Sequence, residues 1–282
     1  MASYGRWLSA LNQPLHMLAI EAIVKCFGSF RAKESLGLVQ PRPNYAYGLL
    51  RAADLSRWQG RKKATAIEFG VAAGAGLLAM IETAEQVTRE TGVAFRLVGF
   101  DSGRGLPAFE GYKDHPELWA PGDFAMPDRA WLEERVRGKA ELVFGDIAET
   151  VGLFMESLTP EAPIGFIAVD VDLYSATVAC LRVLAGRAEL YNPAVAVYLD
   201  DITTYFGNRW CGEVAAVEEF NAAQSRRKID RDYTLPGRRP HKALGWYSRM
   251  YVAHVLDHDL RTRVRNREEA GRMGDLRYLT DY

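Results

Sequence analysis

Cysteine is scarce in this chain. Its 282 residues hold three, Cys26, Cys180 and Cys211, with no CxxC pair among them. An odd count without paired spacing argues against a disulfide framework or a thiolate zinc site, and it fits a reducing compartment such as the cytoplasm. Cys180 falls in a helical apolar pattern and reads as core. Net charge is nearly absent too, at −1, so no global field recruits nucleic acid or an anionic membrane. Short basic stretches occur at Arg226-Arg227-Lys228, at Arg238-Arg239 and from Arg261 to Arg267, and they read as solvated loops or tail. No run of eighteen apolar residues suggests a membrane span. Residues 8–30 are moderately apolar but are interrupted by Asn12, Gln13, Pro14, His16, Glu21 and Lys25. They lack the plan of a signal peptide and read as an amphipathic helix packing on the domain. That segment suits a subunit contact in a homo-oligomer or a lid. Internal repeats are also lacking.

What is present is an alternation. From Ala64 onward, short apolar runs (64–69, 95–100, 141–144, 164–169, 195–199) take turns with helical patterns (76–91, 130–137, 148–158, 174–187, 213–225), and a late strand or pair runs over 250–256. Strands alternating with helices predict an α/β fold with a doubly wound, mostly parallel sheet. Residues 1–60 precede the alternation and read as a helical extension or lid. Residues 106–128, rich in Pro and Gly, form a loop long enough to be a lid or substrate loop. The segment 261–282 is a charged tail.

Ligands of open parallel sheets bind at the carboxyl ends of the strands, and the chemistry-bearing residues fall there. The first strand runs into Glu68-Phe69-Gly70-Val71-Ala72-Ala73-Gly74-Ala75-Gly76. Glycines let this turn approach a ligand, and the helix that follows offers N–H groups to an anion. Gly74-Ala75-Gly76-Leu77-Leu78-Ala79 also satisfies the dinucleotide fingerprint formally, which keeps an NAD-dependent oxidoreductase open. The second strand ends on Asp101-Ser102, where an acid accepts hydrogen bonds from ribose hydroxyls. The third leads to Asp146, placed either at an adenine edge or as the N-cap of the next helix. Two further apolar runs end on acids: Asp170 and Asp172 after one, Asp200 and Asp201 after the other. Four carboxylates there repel one another, and a divalent cation makes the arrangement tolerable. Hard oxygen donors with no His or Cys nearby favour magnesium, manganese or calcium. The competing reading is that these acids only cap a helix and shape a turn. In an extended segment Asp172 would point to the same side as Asp170.

The ordered set of "EFGVAAG", "FDSGRGLP", "VDVDLYSAT", "VYLDDI" and "CGEVAAVEEF" resembles the macrocin O-methyltransferase family, which methylates sugar hydroxyls of macrolide and aminocoumarin antibiotics. The resemblance covers residues 64–221. It implies a class I, Rossmann-like fold with a seven-stranded sheet over 61–260, S-adenosylmethionine as methyl donor and magnesium or another divalent cation. It further implies Asp170, Asp200 and Asp201 as metal ligands and Asp172 as general base. Glu68, Gly70, Gly74, Asp101, Ser102, Asp146 and Asp170 would border the cofactor, and a small-molecule glycoside or saccharide would be the acceptor. This chain departs from the family at Gly103-Arg104, at Ile202 and over 230–282, regions that surround the acceptor. The alternatives are a magnesium-dependent catechol or phenolic O-methyltransferase and a non-catalytic Rossmann-like nucleotide- or protein-binding module. His115 reads as a surface loop residue. His241, His254 and His258, and the aromatics Trp119, Phe124 and Trp210, are weaker candidates for the acceptor pocket.

Overall fold

The computed structural model describes residues 15–237, 239–241 and 244–262. Three helices come first: α1 (Leu15–Phe27), α2 (Phe30–Ser35) and α3 (Pro43–Trp58). The alternation follows, with β1 (Lys63–Phe69), α4 (Ala75–Thr91), β2 (Ala94–Asp101), α5 (Arg129–Val136), β3 (Glu141–Phe144), α6 (Ile147–Glu156), β4 (Ile164–Val169), α7 (Tyr174–Leu181), β5 (Tyr191–Leu199), α8 (Gly212–Ala223), β6 (Arg227–Arg231) and β7 (Met250–Val255). The strands form one sheet in the order β3-β2-β1-β4-β5-β7-β6. The first five are parallel, and β7 runs antiparallel to both of its neighbours. Chain order reverses between β1 and β4, so the crevice at their carboxyl ends is the place where such sheets bind ligands.

The pleat sorts the core into two faces. Ile67, Phe69, Ile167, Val169, Val197 and Leu199 pack with α6 and α7 on one side. On the other, Ala66, Ala168 and Ala196 are small, and α3 lies close, with Tyr45, Leu49 and Ala52 fully buried. Gly48 makes that approach possible: a Cβ there would stand 2.3 Å from the Phe166 ring. Pro193 lies inside β5, where the register against β4 shifts between Ile164 and Phe166; an irregular register spares proline the ladder bond it cannot make.

Three expectations change. The stretch from Arg226 is not a solvated loop: Arg227 opens edge strand β6, is buried, pairs with Asp257 and donates to the Gly186 carbonyl at 3.0 Å. Charged residues on an edge strand blunt pairing with other chains, and their charge hides the strand from a hydrophobicity reading. Arg239 is buried as well, reaching Glu34 Oε1 at 2.7 Å and lying over the Tyr47 ring. Helix α1 forms where expected, but none of its residues is buried. Cys180 is core, as its pattern predicts. Arg238 and the tail from residue 263 lie outside the described residues.

Candidate functional site

The hydrogen-bond ladder continues past the strand ends and stitches the loops together. Gly70 N donates to Phe100 O at 2.9 Å, Asp170 N to Phe69 O at 2.9 Å, Asp200 N to Val169 O at 3.1 Å, and Gly145 N to Asp101 O at 3.1 Å. Acids thirty residues apart in sequence therefore stand side by side.

The glycine loop is held from both sides. Gly70 has φ +87°, and a Cβ there would lie 1.7 Å from the Asp170 carbonyl oxygen. This position takes only glycine. Gly74, also at φ +87°, N-caps α4 against Leu132. Asp101 Oδ2 accepts from the N–H groups of Val71 and Ala72 at 2.9 and 2.7 Å, and its Oδ1 accepts from Gly103 at 2.6 Å. Three of its roughly four acceptor sites are thus taken. Ser102 closes its own turn, donating to Gly105 O at 3.1 Å. Glu68 is buried beneath the loop and accepts from Tyr45 OH at 2.6 Å. Its Oε1 would touch any Cβ at Gly76, and its Oε2 has no partner. Burial, followed by the Asp170 charge, pushes this carboxyl up to about 8, against the Tyr45 hydrogen bond that holds it down.

Asp146 takes the second of its two expected roles. It N-caps α6, accepting from Ala148 N at 2.7 Å. Asp146→Ala should therefore cost about 1 kcal/mol of stability, the usual loss of an N-cap. Chemical denaturation would read that loss; an unchanged midpoint would contradict the capping role.

Asp170, Asp200 and Asp201 converge, each offering a carboxylate oxygen within 4.8 Å of the others. Asp201 Oδ2 is buried without a partner. Desolvation, then the neighbouring Asp200 charge, pushes Asp170 up to about 6. Desolvation, then Asp172 and the other two acids, pushes Asp201 up to about 8. Two guanidinium groups stand at the rim: Arg42 lies 3.6 Å from Asp170 Oδ2, and Arg249 donates to Asp200 Oδ1 at 2.9 Å. Tyr198 OH also hydrogen-bonds Asp200 Oδ1. No sequence signal pointed to Arg42 or Arg249, which come from distant segments. Tyr198 was in reach, because residues two apart on a strand share a face.

Asp172 is not in extended backbone. It sits at φ +62° in a turn closed by Leu173 N donating to Val171 O at 2.6 Å. Positive φ on a non-glycine residue costs about 1–3 kcal/mol and recurs at functional sites; Asp is among the residues that tolerate it best. The carboxyl still belongs to the acid group, since burial, Asp170, Asp200 and Asp123 together push it up to about 7. Asp123 is the contribution of the long loop.

That loop closes on itself through Leu106 N to Asp123 O and Gly122 N to Leu106 O, both 2.8 Å, and is anchored by Asp114, which accepts from Ser175 N at 2.8 Å. His115 is buried, not a surface residue, and bonds Glu117 through Nδ1 at 2.7 Å. Trp119 packs edge-on against Phe124, while Tyr205 and Trp210 are among the most exposed aromatics described. His241 pairs with Glu21 and His254 with Arg261; His254 lies about 13 Å along β7 from its acid-side end, at the rise of an extended strand.

Five parallel strands, with an antiparallel seventh inserted between the fifth and sixth, make the Rossmann-like fold of class I methyltransferases. No family model matches the chain, and no curated protein matches it. Solved structures do. CalS11, a calicheamicin methyltransferase, is 23% identical with a TM-score of 0.49, the match covering 74% of this chain and 79% of that one. The O-methyltransferase NovP is 16% identical with a TM-score of 0.45, over 64% and 72%. An O-methyltransferase from Bacillus cereus in complex with SAH is 15% identical with a TM-score of 0.40, over 89% and 96%. Among the described residues, no helix is long and apolar enough to cross a membrane.

Proposed function

We propose that the chain is an S-adenosylmethionine- and divalent-cation-dependent O-methyltransferase whose acceptor is a sugar hydroxyl of a glycosylated natural product or saccharide. The observation that carries this reading is the convergence of Asp170, Asp200 and Asp201 at the switch point, beside a glycine loop only a backbone atom away. The donor set fits a hard cation: three carboxylates, one with a buried oxygen lacking any partner, and two of them, Asp170 and Asp201, disfavoured as charges by burial and neighbouring acids. Asp170, Asp200 and Asp201 would hold it, and such an ion acidifies a hydroxyl that it binds. The glycine loop and Asp101 fit the cofactor, which would supply a sulfonium methyl group for in-line transfer to the acceptor oxygen.

The chain's own residues divide the remaining work. Gly70 lets the loop lie against β4, and Asp101 fixes the loop by its N–H groups. Asp172, on its strained turn, takes the hydroxyl proton at its carboxylate. The 106–128 loop brings the Asp123 charge toward the same carboxyl. Asp172→Asn should keep cation binding but lower the rate at least about a hundredfold, the usual worth of a positioned general base. A normal rate at saturating substrate would move the base elsewhere.

A second reading, methylation of a catechol or phenolic diol, is favoured by the exposed rings of Tyr205, Phe206 and Trp210 on the segment after Asp201. Flat aromatic faces would stack on a flat acceptor. Matched glycosides and catechols in one acceptor panel separate the two.

The test of the whole reading is calorimetric titration with S-adenosylmethionine, S-adenosylhomocysteine and NAD, each with magnesium and with chelator. Micromolar binding of the two sulfur compounds and none of NAD is expected. Binding of NAD, or of nothing, would overturn it.

A further inference from the structure

Glu213 belongs to no motif role assigned so far, yet it is a fifth acid, behind the cluster. It sits in the first turn of α8 and is only 2% exposed. Buried, unpaired glutamates are rare because desolvation of the carboxyl is costly. An acid in a first turn ordinarily serves its own helix. Glu213 is turned elsewhere: its Oε2 accepts from the backbone N–H of Asp201 at 2.9 Å, twelve residues back in the chain. Its own helix is left without a side-chain cap, since Cys211 at the N-cap makes no such bond. The neighbouring Gly212, at φ +59° against His115, lets the backbone bend so that Glu213 drops inward.

The bond matters for what Asp201 is attached to. Asp201 opens a single 3-10 turn, Asp201–Thr203. The first N–H groups of any helical turn have no partner within it. Glu213 supplies one for Asp201, so the residue whose carboxylate faces Asp170 and Asp200 is tied from behind. Glu213 Oε1 and Asp201 Oδ2 are both buried and without partners. Glu213 is not among the three acids whose oxygens converge.

We propose that Glu213 is a positioning residue of the cation site, its carboxyl gripping the Asp201 N–H and thereby fixing where the Asp201 carboxylate stands. The inference rests on the cation reading of the acid cluster. It assigns Glu213 no contact with the ion.

The test uses the full chain and Mn2+, a hard cation with an electron-spin signal, so that free ion is counted directly during titration. Loss of an outer partner typically weakens metal affinity by about 10–100-fold. Glu213→Leu, which keeps bulk but accepts no hydrogen bond, should show that loss. Glu213→Gln keeps an acceptor for the Asp201 N–H and should stay within about threefold of wild type, a rescue that generic core damage would not give. S-adenosylhomocysteine affinity, measured calorimetrically, should be unchanged in both and reports that each variant is folded. Should Glu213→Leu fail to bind it, Glu213→Asp, one methylene too short to reach, takes its place with the same expected loss. Wild-type Mn2+ affinity in the folded Leu or Asp variant overturns the proposal. So does equal weakening in Gln and Leu, which would make the carboxylate charge, not the grip on Asp201, the quantity that matters. Wild-type protein that takes up no Mn2+ overturns the cation reading itself, and the inference with it.

Discussion

Asp200→Asn is expected to lower methyl transfer by about a thousandfold or more while S-adenosylmethionine binds within about tenfold of wild type. A cation's stabilisation of developing charge is worth several kcal/mol, and each 1.36 kcal/mol is a factor of about ten in rate. The substitution is close to isosteric and isolates the charge. Asp200 Oδ1 already receives Tyr198 OH and Arg249, and an asparagine oxygen can keep both donors. The amide nitrogen then replaces the second oxygen, and an NH2 group donates where a cation needs a lone pair. Arg249 also loses the charge opposite it, but half-exposed pairs of this kind contribute little to stability. The glycine loop is reached through Asp101 and Gly70, neither of which bonds Asp200, so cofactor affinity is the built-in control. Initial rates at saturating magnesium, beside a calorimetric titration of the cofactor, check both halves. Wild-type turnover would sink the cation assignment, and loss of cofactor binding would mean the two subsites are not separable.

The acids were legible because apolar runs that end on charge are strand ends, and a parallel sheet puts strand ends together. Their convergence thus needed only the alternation of elements and the switch-point rule. What the pattern could not show is what reaches the site from outside the alternation. Arg42 precedes the first strand, Arg249 precedes the last, and Glu213 lies in the first turn of α8; each meets an acid only through tertiary packing. Strand β6 escaped notice for a different reason. Its first four residues alternate in burial, yet the strand reads Arg, Lys, Ile, Asp and Arg, so hydrophobicity does not. Asp172 joins the acid group through a backbone turn that the sequence does not announce. An extended segment would have served, yet the chain uses a left-handed residue, which no periodicity signals. His115 illustrates the limit of reading loops as solvent-facing: the 106–128 segment packs on α8 and buries its own histidine.

The acid cluster also predicts an unusual pH dependence. Without cation or cofactor, thermal stability should fall as pH rises from about 5 to 8. Burial first, and neighbouring carboxylates after it, push Asp170 up to about 6, Asp172 up to about 7 and Asp201 up to about 8, while Glu68 beneath the loop reaches about 8. In the unfolded chain these groups titrate near the ordinary carboxylate range, about 4. Between the two limits the folded state holds more protons than the unfolded state, so the slope of stability against pH is negative. The contribution is complete below about pH 4 and is lost as pH rises through the folded values. Most proteins do the opposite at their acidic residues, because paired carboxylates are depressed rather than raised. Arg42 and Arg249 work against the trend at Asp170, and Arg249 at Asp201, without reversing it. Magnesium should flatten the slope. It favours the charged carboxylates, and binding only the folded state adds about 2.7 kcal/mol at a hundredfold excess over its dissociation constant. For a chain of this size about 1 kcal/mol moves the melting midpoint by roughly 2–4 °C, so melting curves at pH 5 and pH 8, with magnesium and with chelator, resolve the effect. Asp201→Asn should take away part of the slope in chelator, because it removes one of the strongly raised carboxyls. A midpoint in chelator that rises with pH would mean these carboxylates are satisfied within the protein. The reason for expecting a cation between them would then be gone.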